Sequence, residues 1–86
     1  MSEDIKKIRN KIDSLDKEIL ELLNQRAKQA IKISKEKKKI NNSDNFYSPE
    51  REAQVISAIK EINSGPLTDD SILKIYREIM SSCLSL

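Results

Sequence analysis

An all-α fold of three helices per chain, with a long first helix and a second copy of the chain as its packing partner, is what this sequence predicts. Three observations carry that expectation. Apolar residues recur at Ile8, Ile12, Leu15, Ile19 and Leu22, then at Ala30, Ile33 and Ile40. The steps are those of one helix face, with gaps at positions 26 and 37. Charged residues make up 35% of the 86-residue chain, against one glycine and two prolines, a balance that favours helices over sheets. Finally, the first helix is too long for its own domain. Residues 3 to 39 span roughly 55 Å at about 1.5 Å each, whereas a compact chain of this size is about 30 Å across. The apolar stripe runs the whole length, so the projecting part needs another chain, and a homodimer of long helices is expected.

The elements follow in order. Ser2 reads as an N-cap, with Glu3 and Asp4 in the first turn. The first helix then meets no glycine or proline before the polar stretch Asn41-Asn42-Ser43-Asp44-Asn45. Ser48-Pro49-Glu50 reads as N-cap, N1 proline and an acid at N2 of a second helix. Its apolar face is Val55, Ile56, Ile59 and Ile62, and Asn63-Ser64-Gly65-Pro66 is expected to end it with a glycine cap and a proline stop. Thr68-Asp69-Asp70 announces the third helix, whose inward residues are Ile72, Ile75, Tyr76, Ile79, Met80 and Cys83. No repeat or low-complexity linker divides the chain, so residues 1–86 are expected to form one domain.

Composition narrows the chemistry. The 37% of apolar residues include only three aromatics, enough for a thin core. A single cysteine, Cys83, rules out an intrachain disulfide. The lack of histidine removes Ser-His triads and ordinary zinc sites. No apolar run approaches the roughly 20 residues needed to span a bilayer, and MSEDIKK lacks a signal-peptide core. A soluble cytoplasmic protein is expected. The net charge is only +2. The basic run Lys35 to Lys39 reads as a solvated helix face, with Lys37 the exception.

The two gaps in the first stripe are Arg26 and Lys37, and both fit its stepping. An unpaired buried charge is costly, so cations in a core register need a partner or a ligand. In the second helix Glu52 faces the stripe of Val55, Ile56 and Ile59, and Arg51 sits on its flank. An internal salt-bridge cluster and a pocket for an anion both fit this pattern. The cations outnumber the single acid, which leaves room for an anionic ligand. Arg9 lies at the edge of the stripe beside Ile5, Ile8 and Ile12, 17 residues before Arg26. That is roughly 25 Å along one helix, so the two cannot share a ligand within one chain. An antiparallel partner helix crossing near residue 20 would bring Arg9 of one chain between Arg26 and Lys37 of the other.

Ile8-Arg9-x-x-Ile12-Asp13-x-Leu15-Asp16, Leu22-Leu23-x-x-Arg26, Lys35-x-Lys37 and Pro49-Glu50-Arg51-Glu52 together resemble the all-helical chorismate mutases. Gly65-Pro66-Leu67 and the segment from Ile75 to Cys83 extend the likeness over nearly the whole chain. The resemblance implies an intertwined helical homodimer with two identical sites, each completed by an arginine from the partner. It implies the conversion of chorismate to prephenate in phenylalanine and tyrosine synthesis. By position, Arg9 would be the partner-supplied arginine, and Arg26 and Arg51 would grip substrate carboxylates. Lys37 would contact the ether oxygen. Glu52 would accept the substrate hydroxyl, helped by Ser48. Three departures stand out. Ser48 occupies a position that is often Asp in that family. Cys83 replaces a frequent serine near a carboxylate. A Gln or Glu one turn after Cys83 would fall at position 87, beyond Leu86. The last departure implies a shortened chain, or a mutase domain belonging to a larger bifunctional chorismate mutase/prephenate dehydratase.

The reaction so implied is a unimolecular pericyclic rearrangement of a dianion, with no nucleophile, proton transfer, metal or cofactor. It needs a flexible dicarboxylate held in its reactive conformer and a cation preorganised at the ether oxygen. Arginine suits the first task through bidentate carboxylate geometry, and lysine suits the second as a point charge. Isochorismate-pyruvate lyase is the alternative enzyme. A non-enzymatic dimerisation module whose inward charges only set register is the alternative without chemistry. Nucleic-acid binding is disfavoured by the near-neutral charge and the absence of a recognition motif.

Overall fold

Three helices follow one another: α1 (Ser2–Asn41), α2 (Pro49–Ile62) and α3 (Asp69–Leu84). This computed structural model describes residues 2–41, 48–84 and 86, and among them there is no strand. The polar stretch from Asn42 to Asn45, expected to end the first helix, lies outside the described residues. Ser2 is itself helical rather than a cap before the helix, a shift within the one or two residues by which helix ends fray.

Acids open α1 at Glu3 and Asp4, and lysines close it at Lys38 and Lys39, each complementing the helix dipole. Its 40 residues account for the 59 Å long axis of the molecule. α2 is capped as its sequence demands. Ser48 is extended (φ −130°, ψ 101°), its Oγ accepts from the Arg51 N–H, and Pro49 occupies the first turn. α3 is capped the same way: Thr68 Oγ1 accepts from the Ser71 N–H at 3.2 Å, and the Ile72 N–H reaches Thr68 O at 3.0 Å.

The turn between α2 and α3 departs from the expected glycine cap. The residue that caps α2 is Asn63, in extended conformation. Its side chain donates to Leu67 O at 2.9 Å and to Asp69 Oδ1 at 3.1 Å, and it accepts from the Gly65 N–H at 3.1 Å. Gly65 comes two residues later, where φ of 78° requires a residue without Cβ. One asparagine thus ties the end of α2 to the start of α3, because an amide side chain can donate and accept at once.

α3 packs against both α2 and the C-terminal half of α1. Among the described residues the N-terminal stripe of α1 is left uncovered by its own chain. Ile8, Ile12, Leu15, Ile19 and Leu22 are each half exposed or more. Among the described residues no apolar side chain is fully buried. Within one chain the expected core is therefore partial. Val55, Ile56, Ile59, Ile72, Tyr76, Ile79, Met80 and Cys83 are half-buried between the helices. Ile75 and Ile62, expected to face inward, are exposed. Ile75 sits about 60° from Ile72 around α3, at the margin of the packed face, and Ile62 is the last residue of α2. Ile33 and Ile40 of the long stripe are exposed as well.

Candidate active site

The three helices meet around one cavity of about 310 Å³. α1 contributes Arg26, Ala30, Ile33 and Lys37, one face of the helix at steps of three and four. α2 contributes its capped first turns, Ser48, Arg51, Glu52 and Val55. α3 contributes Met80, Cys83 and Leu84. The Ser48 cap fixes this arrangement locally. With Ser48 Oγ holding the Arg51 N–H and Ser48 O accepting from the Glu52 N–H at 3.0 Å, the first turn must place Arg51 and Glu52 at the cavity mouth.

Six of the seven residues singled out from the sequence line this cavity: Arg26, Lys37, Ser48, Arg51, Glu52 and Cys83. Arg26, Lys37, Ser48, Glu52 and Cys83 are half-buried, whereas Arg51, expected to face inward from the flank of the α2 stripe, is exposed. Arg26 Nη1 lies 3.7 Å from Cys83 Sγ, a weak donor contact that joins α1 to α3 across the wall. The seventh, Arg9, is elsewhere. It lies exposed on the N-terminal third of α1, in a shallow depression with Ser2, Ile5, Lys6, Asn10 and Asp13. The helix length that separates it from Arg26 keeps it out of its own chain's cavity.

Among the described residues, three cations and one acid therefore share the cavity wall. Neither Arg26 nor Arg51 is ion-paired to Glu52 among the described residues. Glu52 instead faces Arg77 of α3, with Nε and Oε1 4.0 Å apart. Sequence reasoning missed Arg77. The signal was available in its spacing: Arg77, Met80 and Leu84 step by three and four along α3, so Arg77 is on the face that carries two cavity residues. Ala30, Ile33 and Val55, the apolar part of the wall, follow in the same way from their neighbours in register. Among the described residues no group of three His, Cys, Asp or Glu is placed to hold a metal ion. No helix among them is long and apolar enough to cross a membrane.

The arrangement suits a small dianion with an apolar body and a hydroxyl. Comparison with known proteins agrees with that chemistry. The family chorismate mutase type II matches residues 8–86. The bifunctional chorismate mutase/prephenate dehydratase of Pseudomonas aeruginosa is 42% identical over 85 residues, which cover 95% of this chain and 23% of that protein. The protein of the same name from Neisseria gonorrhoeae is 44% identical over 77 residues, covering 90% of this chain and 20% of the relative. The chain thus spans less than a quarter of the length of these curated relatives. Among solved structures, form II of the chorismate mutase from Thermus thermophilus superposes with a TM-score of 0.90 at 29% identity, over 95% of this chain and 91% of that one. Fold, cavity and likeness converge, and the chain belongs to the type II chorismate mutase family.

Proposed function

We propose that this chain, as one mutase domain over residues 1–86, converts chorismate to prephenate in phenylalanine and tyrosine synthesis in the cytoplasm. The observation that carries the proposal is the cavity itself: Arg26, Lys37 and Arg51 with Glu52, the one acid among the described lining residues, on a partly apolar wall. Chorismate is a dianion that must fold its enolpyruvyl side chain over the ring before its C–O bond breaks and the new C–C bond forms. Arg26 and Arg51 hold the two carboxylates and so select the compact conformer, which removes much of the entropic part of the barrier. Lys37 meets the charge that develops on the ether oxygen, an interaction stronger in the transition state than in the ground state. Glu52 accepts from the ring hydroxyl, with Ser48 beside it, and Cys83 lies where one carboxylate rests.

The site is completed by a second copy of the chain. The uncovered stripe of Ile8, Ile12, Leu15, Ile19 and Leu22 supports this. So does the surface area. The chain exposes 7477 Å², against about 5,200 Å² for a compact monomer of its mass. The excess is of the size an obligate dimer buries on each partner. An antiparallel α1 pair crossing near residue 20 brings the partner's Arg9 to the cavity between Arg26 and Lys37.

A product assay tests the reading. Purified protein given chorismate is expected to form prephenate. Given isochorismate it is expected to form no salicylate and pyruvate. Release of those two products instead would assign the lyase reaction, and inertness towards both substrates would leave only a dimerisation module.

A further inference from the structure

An acid in the wall of a cationic cavity, as Glu52 is here, threatens the function of that cavity. A carboxylate on a rotatable stem, with guanidinium groups nearby, can fold onto one of them and neutralise it before any ligand arrives. Glu52 lines the cavity with Arg26 and Arg51, yet it is ion-paired to neither. Its Oε1 lies 4.0 Å from Nε of Arg77, beyond hydrogen-bond range but within that of an ion pair. Arg77 is not part of the cavity wall. It stands one turn before Met80 on the same face of α3, just outside the lining. The Arg77 side chain is 61% exposed and that of Glu52 27%. A pair this exposed contributes little to stability. It still biases the direction in which a rotatable carboxylate points, which is the property a binding site needs.

We infer that Arg77 is a positioning residue for the cavity. It holds the Glu52 carboxylate against the α2–α3 side. Arg26 and Arg51 then remain available to an anionic ligand, and the second oxygen of Glu52 is turned to a ligand hydroxyl. Arg77 itself touches no ligand. The inference rests on the function proposed above, since it assumes a dianion with a hydroxyl.

The test is a double-mutant cycle on the full chain, read by calorimetric titration with a bicyclic dicarboxylate mimic of the pericyclic transition state. Melting temperatures and chorismate kinetics are measured on the same samples. Arg77→Gln is expected to weaken binding about tenfold, a coupling typical of neighbouring charges. KM should rise by a similar factor and the melting temperature should stay within a few degrees. Arg77→Lys keeps the charge and is expected to recover most of the affinity. In a Glu52→Gln background, adding Arg77→Gln is expected to change nothing further, because no carboxylate is left to hold. Unchanged affinity in Arg77→Gln overturns the inference, and so does an equal loss in both backgrounds. If Glu52→Gln binds too weakly to titrate, Arg77→Lys decides: recovery supports the tether, and no recovery overturns it. A wild-type chain that binds no dicarboxylate overturns the proposed function and this inference with it. Wild-type binding with an inert Arg77→Gln overturns the inference alone.

Discussion

Replacing Ile19 by glutamate tests whether the uncovered stripe of α1 is an interface. Ile19 is 52% exposed on its own chain, near the middle of the stripe. A partner helix would cover about half of its side chain, worth roughly 1 kcal/mol per copy. An unpaired carboxylate in the same place adds about 3 kcal/mol of desolvation or more. The antiparallel crossing near residue 20 doubles the effect, because each dimer carries two copies. The total is about 8 kcal/mol, which weakens association by between five and six orders of magnitude. Among the described residues the separated chain has no fully buried apolar side chain to hold it, so helix content should fall with the dimer. Sedimentation at low micromolar concentration is expected to give twice the 9.9 kDa chain mass for the wild type. Ile19→Glu is expected to sediment at the monomer mass, with a weakened helical circular-dichroism signal. Lys17→Glu, about 200° away around the helix, is the control and should leave both readings unchanged. An Ile19→Glu protein that stays dimeric, or a wild-type chain that is a folded monomer, would refute the reasoning.

Three further outcomes are expected. Arg9→Ala and Arg26→Ala proteins should each be nearly inactive, yet refolding them together should restore about a quarter of the wild-type activity, because half of the symmetric dimers are mixed and each keeps one intact site; verified heterodimers with no recovery exclude a site shared in this way. Lys37→Leu removes the cation from the cavity wall, so turnover should fall by about 100- to 1,000-fold; a folded variant with unchanged turnover removes Lys37 from the mechanism. Ser48→Ala deletes the cap that holds the Arg51 N–H and should cost about 1 kcal/mol, whereas Ser48→Asp keeps a capping oxygen and should melt within a degree or two of the wild type. Equal melting temperatures for the two Ser48 variants would show that the cap is not what holds the first turn of α2.

Local information was enough for the helices. Ser48-Pro49, Thr68 and the uninterrupted stepping from Ile8 to Ile40 act within one or two turns, so capping and periodicity are legible in the sequence. The same periodicity put Arg26 and Lys37 on one face of α1 and Glu52 on the packed face of α2, because charges out of place in an apolar series are visible wherever the helices end up. The length of α1 against the size of its domain likewise follows from residue count alone. Tertiary structure decided what depends on how the helices cross. Met80 and Cys83 could be placed on the inner face of α3, but only packing brought Cys83 within 3.7 Å of Arg26, 57 residues away. Asn63 read as part of a generic turn, and its bonds to Leu67 and Asp69 exist only because the chain folds back there. Arg77 drew no notice of its own within the segment from Ile75 to Cys83. Its place beside Glu52 comes from the packing of α2 on α3, where two side chains from different helices meet at a distance that periodicity along either helix cannot encode.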